Sequence, residues 1–435
     1  MDTVISYIIE FLIKGEKSKV YRNHIGYTAN PTEFHKYKIV IIPSFFFRED
    51  IYGIEASLPN LPLKEIHGIP LLFGTPNIEW MHDTLLVYAD IIASSYFLLT
   101  RYEEIRKRNQ RDIHGRFPGK ASLPFNAQFI HRPIVDEYGH LLRDWLRETG
   151  IPIEEPHRKI NRVWLTHDVD IPFYCRSLRN VIRESMHGRG FKQAWNIYNA
   201  SLTEDPFFTF PWLIDQNLSL EKIWGKSRCK SIFFFKTGGK SRPDKPFYHI
   251  QSKDIQCLLS LCQQKGMTIG LHSSYDAGRN PALIRKEKEK LENNCKTLLS
   301  YNRHHYLSSR EPEDLEWLEK AGITDDFTMG YADVAGFRLG TCHPVRWINP
   351  INKRLSNLIL HPLTIMECSL SDPDYMSMDY RNALTYCLGL VDQVEKNNGE
   401  LTLLWHNNRV STHMSVSIPW QRTLYQRLIE ELKKR

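Results

Sequence analysis

A chain of 435 residues with 42% apolar and 12% aromatic side chains has length for two domains and material for a large core, which excludes a disordered protein. Its 57 basic and 50 acidic residues leave a formal charge of +7. The basic runs Lys14 to Lys19, Arg285 to Lys290 and Lys433-Lys434-Arg435 are short or interleaved with Glu and read as solvated helix faces; with no binding-module signature beside them, no nucleic-acid partner is expected.

The chain opens with an apolar run, Val4 to Leu12, preceded by Asp2 and interrupted by Glu10. A secretory signal needs a basic start and a small-residue cleavage site, so these residues predict a short amphipathic helix in a cytoplasmic protein. No stretch approaches the roughly eighteen apolar residues of a membrane span. Strands are expected at Tyr37 to Pro43 and Ile69 to Phe73, followed by a strong buried helix from Leu85 to Arg106. Gly115, Pro118, Gly119 and Pro124 mark Lys107 to Ala127 as a loop laid over the surface. A helix from Val135 to Arg147 and a Pro/Gly-containing linker, Gly150 to His157, then suggest a boundary: a smaller α/β domain of unknown function over 1–157 and a second domain over 158–435.

From Arg162 short apolar strands alternate with helical segments, the signature of an α/β architecture with parallel strands. The candidates are Val163 to Thr166, Ser231 to Lys236, Thr268 to His272, His304 to Leu307, Ile323 to Thr328, Leu363 to Glu367 and Leu401 to His406. Most end in polar residues: Asp168 and Asp170, Lys236, His272, Asp326, Glu367, His406. Barrels and open doubly wound sheets both build their sites at that end of the strands.

Four of these ends carry chemistry. In Thr166-His167-Asp168-Val169-Asp170 two carboxylates stand two residues apart on a strand, on one side, where one could hold a cation and the other take a proton; taken alone, these residues read more readily as a strand ending in a turn that Asp170 caps. His272 leaves a strand with Asp276 four positions on, a metal-pair spacing if the segment is helical and otherwise a cap for the Ala277-Gly278 turn. Arg303-His304-His305 and Leu404-Trp405-His406 add a guanidinium and three imidazoles.

In this order the clusters resemble the motifs of the polysaccharide deacetylases of carbohydrate esterase family 4, over roughly residues 160 to 410. The resemblance implies a distorted (β/α)7 barrel, Asp168 as general base, Asp170 and His272 as metal ligands, Arg303 orienting the base and His406 as general acid. Asp276 stands where the family has its second metal histidine, giving an Asp/His/Asp set that suits zinc or, with two carboxylates, manganese or cobalt; His304 and His305 are substitute ligands. Residues around Ile69 to Gly74 and Asp90 to Glu104 look like the uncharacterised domain that precedes such domains in some Bacteroidetes proteins. The expected function is removal of an acetyl or other acyl group from an amino sugar of a surface polysaccharide or its precursor, with a carbohydrate as the partner. The alternatives are a degenerate carbohydrate-binding or scaffolding protein, favoured by Asp276, and an enzyme of the same fold on a small C–N substrate, favoured by a narrow pocket.

Weaker candidates remain. Thr328 to Cys342, with Asp333 and Arg338, suits a substrate loop or equally a Gly-turned hairpin. Lys236 and Glu367 could touch substrate or be spent in ion pairs. The eight cysteines (Cys175, Cys229, Cys257, Cys262, Cys295, Cys342, Cys368, Cys387) form no Cys-x-x-Cys and read mostly as small buried hydrophobes, which leaves a cysteine hydrolase at Cys342 a weak rival.

Overall fold

In the first 151 residues Ile25–Tyr27 (β1), Ile39–Ile41 (β2), the mostly exposed Gly74–Met81 (β5) and the apolar Thr84–Ala89 (β6) build one sheet in the order β1-β2-β6-β5, antiparallel only at the β5/β6 pair; Lys64–Ile66 (β3) and Ile69–Leu71 (β4) form a separate hairpin. The computed structural model describes residues 1–435 except 175, 177, 179–180, 183–184, 187–189 and 413–417, so Cys175 lies outside the described residues. The first helix, Asp2–Ile13, buries Val4, Ile8, Ile9, Leu12 and Ile13 on one stripe, as an amphipathic helix should.

The helix expected over Leu85 to Arg106 is a strand, a cap and two helices. Leu85, Leu86 and Val87 pair with β2 on one side and β5 on the other. Asp90 then starts the helix Ile91–Leu99: its Oδ1 accepts the Ala93 N–H at 2.9 Å while Oδ2 takes the Ser44 N–H at 2.7 Å. Arg101, in a left-handed conformation, separates that helix from the short one at Tyr102–Arg106.

The second region is α/β. Among the described residues its nine strands are Arg162–Val169 (β7), Cys229–Phe235 (β8), Thr268–Ser273 (β9), Tyr301–His304 (β10), Asp325–Met329 (β11), Val345–Asn349 (β12), Arg354–Pro362 (β13), Ile365–Met366 (β14) and Glu400–Leu404 (β15). They form one sheet in the order β12-β13-β11-β10-β9-β8-β7-β15-β14, parallel except at β12/β13. Two expected strands move. The one placed at His304 to Leu307 ends at His304, because Tyr306 and Leu307 turn with φ of 60° and 52°. The one placed at Leu363 to Glu367 shrinks to two residues, since Glu367 opens the helix Glu367–Ser371.

Among the described residues no ladder joins β12 to β14, so the closed barrel the resemblance implies is not what the hydrogen-bonded order displays. The sheet is nonetheless strongly rolled. Neighbouring strands lie 4.7–4.9 Å apart, so a flat sheet would separate β10 from β7 by about 14 Å; yet Arg303 of β10 reaches Asp168 of β7 at 3.0 Å across the two strands between them. His361 of β13 meets Glu400 of β15 at 3.1 Å although five strands intervene. Side chains standing off a sheet converge like this only on a concave face. Trp164, Ile232, Phe234 and Phe327 fill that face.

One apolar core runs through both regions, with Val4 and Leu12 in the same cluster as Phe233 and Trp347. Buried charges stitch the seam. Glu104 is gripped by Arg101 at 2.6 Å and Arg338 at 2.8 Å, and Asp136 binds Lys14 Nζ at 2.9 Å, the Thr341 hydroxyl at 2.8 Å and the Cys342 N–H at 2.9 Å. Arg338, Cys342 and the Thr328 to Cys342 segment are therefore occupied in holding the regions together. Asp333 belongs with them, accepting the Gly119 and Lys120 N–H groups at 2.7 and 3.0 Å.

Candidate active site

The C-terminal ends of β7, β9, β10 and β15 bring Asp168, Asp170, His272, Arg303, His305 and His406 together. Strand alternation puts Asp168 on the concave face and sends His167 the other way, where it bonds the Trp405 carbonyl and Asn217, and burial lowers its pKa to about 4. Asp168 accepts from Arg303 Nη1 at 3.0 Å. Arg303 is fully buried, lies 4.7 Å over the Phe234 ring and donates Nε–H to the Phe327 carbonyl at 3.0 Å. Gly270 is required beneath that stack, because a Cβ there would stand 2.5 Å from the Phe234 ring.

Asp170, one residue beyond β7, is the hub. Its Oδ1 is 3.0 Å from His272 Nε2 and 3.4 Å from His305 Nε2, and its Oδ2 is 3.4 Å from His406 Nε2. Burial alone would raise its pKa, but the imidazoles of His305 and His272 hold it well below the carboxylate range. Each of those histidines has its other nitrogen committed. His272 Nδ1–H donates to the Arg303 carbonyl at 2.9 Å, and His305 Nδ1 meets the buried Asp244 carboxylate at 2.9 Å. A carbonyl can only accept, so Nδ1 of His272 carries a hydrogen and Nε2 is the atom turned to Asp170; the Asp244 bond orients His305 in the same sense. Burial opposes charge on His305, yet Asp170 and Asp244 raise its pKa.

This arrangement fits a divalent cation. Asp170 Oδ1 and His272 Nε2 are buried, face each other at 3.0 Å, and neither has a hydrogen-bond partner. Ligands about 2.0–2.1 Å from one tetrahedral centre lie about 3.3 Å apart. The ligand atoms of Asp170, His272 and His305 all fall within 4.8 Å of one another, with both measured separations close to that value.

His406 stands opposite. Glu367 Oε1 accepts its backbone N–H at 2.9 Å and meets Nδ1 at 2.5 Å. Burial opposes charge there, but Glu367 raises the pKa well above the ordinary histidine value. Glu367 is thus spent in an ion pair with the histidine it orients.

Asp276 does not join this group. Its Oδ2 accepts the Lys240 N–H at 2.7 Å and the Ser241 N–H at 3.3 Å, so it ties down a loop, and His305 occupies the corner the sequence assigned to it. His304 faces away, packed with Asn302 and Thr328 at 3.2 and 3.4 Å, and burial lowers its pKa to about 4. Lys236 is buried and donates to the Asp244 carbonyl at 3.1 Å. Asp244 was missed because it lies in a turn, Arg242–Asp244, without strand or motif context. Arg116 was missed as well: the loop expected over the surface drops it onto the site, where it donates to the Tyr306 carbonyl at 2.8 Å and the Tyr375 hydroxyl at 3.1 Å. A cavity of about 250 Å³ opens over the cluster, with Asp168, Asp170, His305 and His406 among its lining residues.

Residues 2–151 match the model of a family of unknown function, DUF7033. A search of curated proteins finds no significant match. Among solved structures the chain is similar to a "putative polysaccharide deacetylase" from Mycobacterium smegmatis, at 14% identity and a TM-score of 0.38 over 65% of this chain and 87% of that one. A likeness of that size fixes neither fold nor activity. Among the described residues no helix is long and apolar enough to cross a membrane.

Proposed function

We propose that the protein is a metal-dependent amide hydrolase that removes an acetyl or related acyl group from an amino sugar. The observation that carries this is the convergence of Asp170, His272 and His305, each imidazole anchored through its other nitrogen, beside one carboxylate held by a buried arginine and one histidine held by a buried glutamate. One carboxylate with two imidazoles is a donor set of catalytic zinc sites and also suits cobalt.

When bound there, the cation supplies Lewis-acid polarisation of an acyl carbonyl and of a water. The chain's own residues handle the protons. Asp168, fixed by Arg303, takes a proton from the attacking water as its oxygen adds to the acyl carbon. His406, held by Glu367, delivers a proton to the nitrogen as the C–N bond breaks, releasing carboxylate and free amine. Asp276 no longer argues for a degenerate site, because His305 supplies the third ligand. In this reading the rolled sheet is a distorted barrel of the polysaccharide deacetylase type. Its support is the His361–Glu400 contact across the sheet ends and the passage from β13 to β14 with only Leu363 and Thr364 between.

Elemental analysis and turnover of acetylated amino sugars test this together. Wild type and Asp276→Ala should carry near-stoichiometric metal and release acetate, while Asp170→Ala and His305→Ala should carry none. Metal-free wild type after incubation with zinc, manganese or cobalt would overturn the assignment.

A further inference from the structure

The cavity wall has a sign. Besides Asp168 and Asp170 the cavity is lined by three cations, Arg116, Lys245 and Arg409, from three separate segments of the chain, and by one further carboxylate, Asp372. Arg116 is buried and rigid: besides Tyr306 and Tyr375 it meets Asp112 at 2.7 Å. Arg409 pairs loosely with Asp372, at 3.9 Å, and its other acidic neighbour, Glu367, is spent on His406. Lys245 is exposed, and among the described residues no carboxylate lies within ion-pair distance of it. Lys245 is thus without a close counter-charge and Arg409 is only loosely paired, while the floor carboxylates are committed to Arg303 and the three histidines.

The size and closure of the space point the same way. About 250 Å³ lies just under the roughly 300–1,000 Å³ of pockets that enclose small molecules, which is room for one ring and its substituents. The loop that brings Arg116 closes one side. Asp112 Oδ1 fixes its backbone by accepting the His114 and Arg116 N–H groups at 2.9 Å each; Asp333 holds Gly119 and Lys120, and Lys120 Nζ reaches the Tyr375 carbonyl at 3.0 Å. That side of the cavity is therefore walled off by the chain's own first region.

We infer that the substrate is a small anion: a single acylated amino sugar, or the end unit of a short chain, carrying a carboxylate or phosphate that Arg116, Lys245 and Arg409 grip. The first region then has a direct role, since Arg116 belongs to it. The inference rests on the hydrolase reading for the acylated amine and on the cavity wall for the charge.

Calorimetric binding and turnover should be measured in parallel on N-acetylglucosamine, its 6-phosphate, the corresponding uronate and the neutral tetrasaccharide. At least tenfold tighter binding of the phosphate or the uronate than of the neutral sugar is expected, and which of the two binds tighter identifies the anion. Lys245→Met and Arg409→Gln should each bring that ratio several-fold closer to one. Equal binding of neutral and charged sugars, or preference for the tetrasaccharide, would overturn the inference even if acetate is released. Anion preference without acetate release from any of them would sustain the charge assignment and count against the hydrolase instead.

Discussion

Two polar clusters sit inside the same rolled sheet, and they differ in what they leave unsatisfied. Beside the amino ends of β11 and β15, His361 is bonded on both nitrogens, to Glu400 at 3.1 Å and Asp325 at 2.9 Å, and Glu400 also takes the Trp164 indole N–H at 2.8 Å and Arg162 at 3.2 Å. The ring is stacked on Phe327 with centroids 4.4 Å apart. At the carboxyl ends Asp170 Oδ1, His272 Nε2, Arg303 Nη2 and Glu367 Oε2 are buried without partners. Both clusters are rich in His and carboxylate, so composition does not separate them. Saturation does: the first network is closed, whereas the second keeps buried donors and acceptors unsatisfied.

The contrast can be broken from either side. The largest effect is expected at the hub: Asp170→Asn should abolish metal retention and lower kcat/KM by about 10⁴-fold or more, measured by elemental analysis and acetate release. Asp168→Asn should keep the metal and cost about 10³-fold in kcat, within the range of general-base contributions; full activity would remove Asp168 from the role. In the saturated cluster His361→Leu should leave metal content unchanged and lower unfolding stability by about 3 kcal/mol, read from denaturant midpoints, because Glu400 and Asp325 lose their shared partner.

Asp136 extends the test to the seam. Burial alone would raise its pKa, but Lys14 and His343 bring it down to about 2 in the folded chain. A depressed folded pKa means stabilisation present above the unfolded value near 3.9 and lost as pH falls through about 2, worth about 2 kcal/mol. Asp136→Asn should flatten stability against pH in that window. The smallest effect belongs to Asp276→Asn: under about 1 kcal/mol of stability and no change in metal, since one oxygen remains to accept the Lys240 N–H.

Legibility in the sequence followed the range of the forces involved. Asp168, Asp170, His272 and His406 could be read because each leaves a strand, and strand periodicity and strand ends are local properties. The choice between Asp276 and His305 could not be, because it depends on which neighbouring strand the roll of the sheet brings over Asp170. Four-residue spacing made Asp276 attractive, but no helix begins at His272: β9 runs on to Ser273, and Asp276 enters a loop. Leu85 to Ala89 reads as helix because a continuous apolar run has no period of its own, and the one local mark of the boundary is Asp90, a strong cap. The β12/β13 hairpin escaped for a related reason. Arg354 to Asn357 alternates exposed and buried positions weakly, and its pairing with Val345–Asn349 is fixed across a turn without a strong hairpin signature. Arg116 reaches the site through tertiary contacts alone.

The place of β15 sets a timetable for synthesis. Val163 of β7 pairs with Cys229 of β8 on one side but with Leu401 of β15 on the other. At about 5–20 residues per second, a strand emerging near residue 165 waits roughly 10 to 50 s before the chain reaches its second neighbour. Throughout that interval a strand from the middle of the finished sheet has a bare edge, the kind that pairs with other chains. The polypeptide that carries Asp168 and Asp170 is thus complete long before the sheet that positions them, and nascent protein depends on protection from aggregation until its last strand arrives.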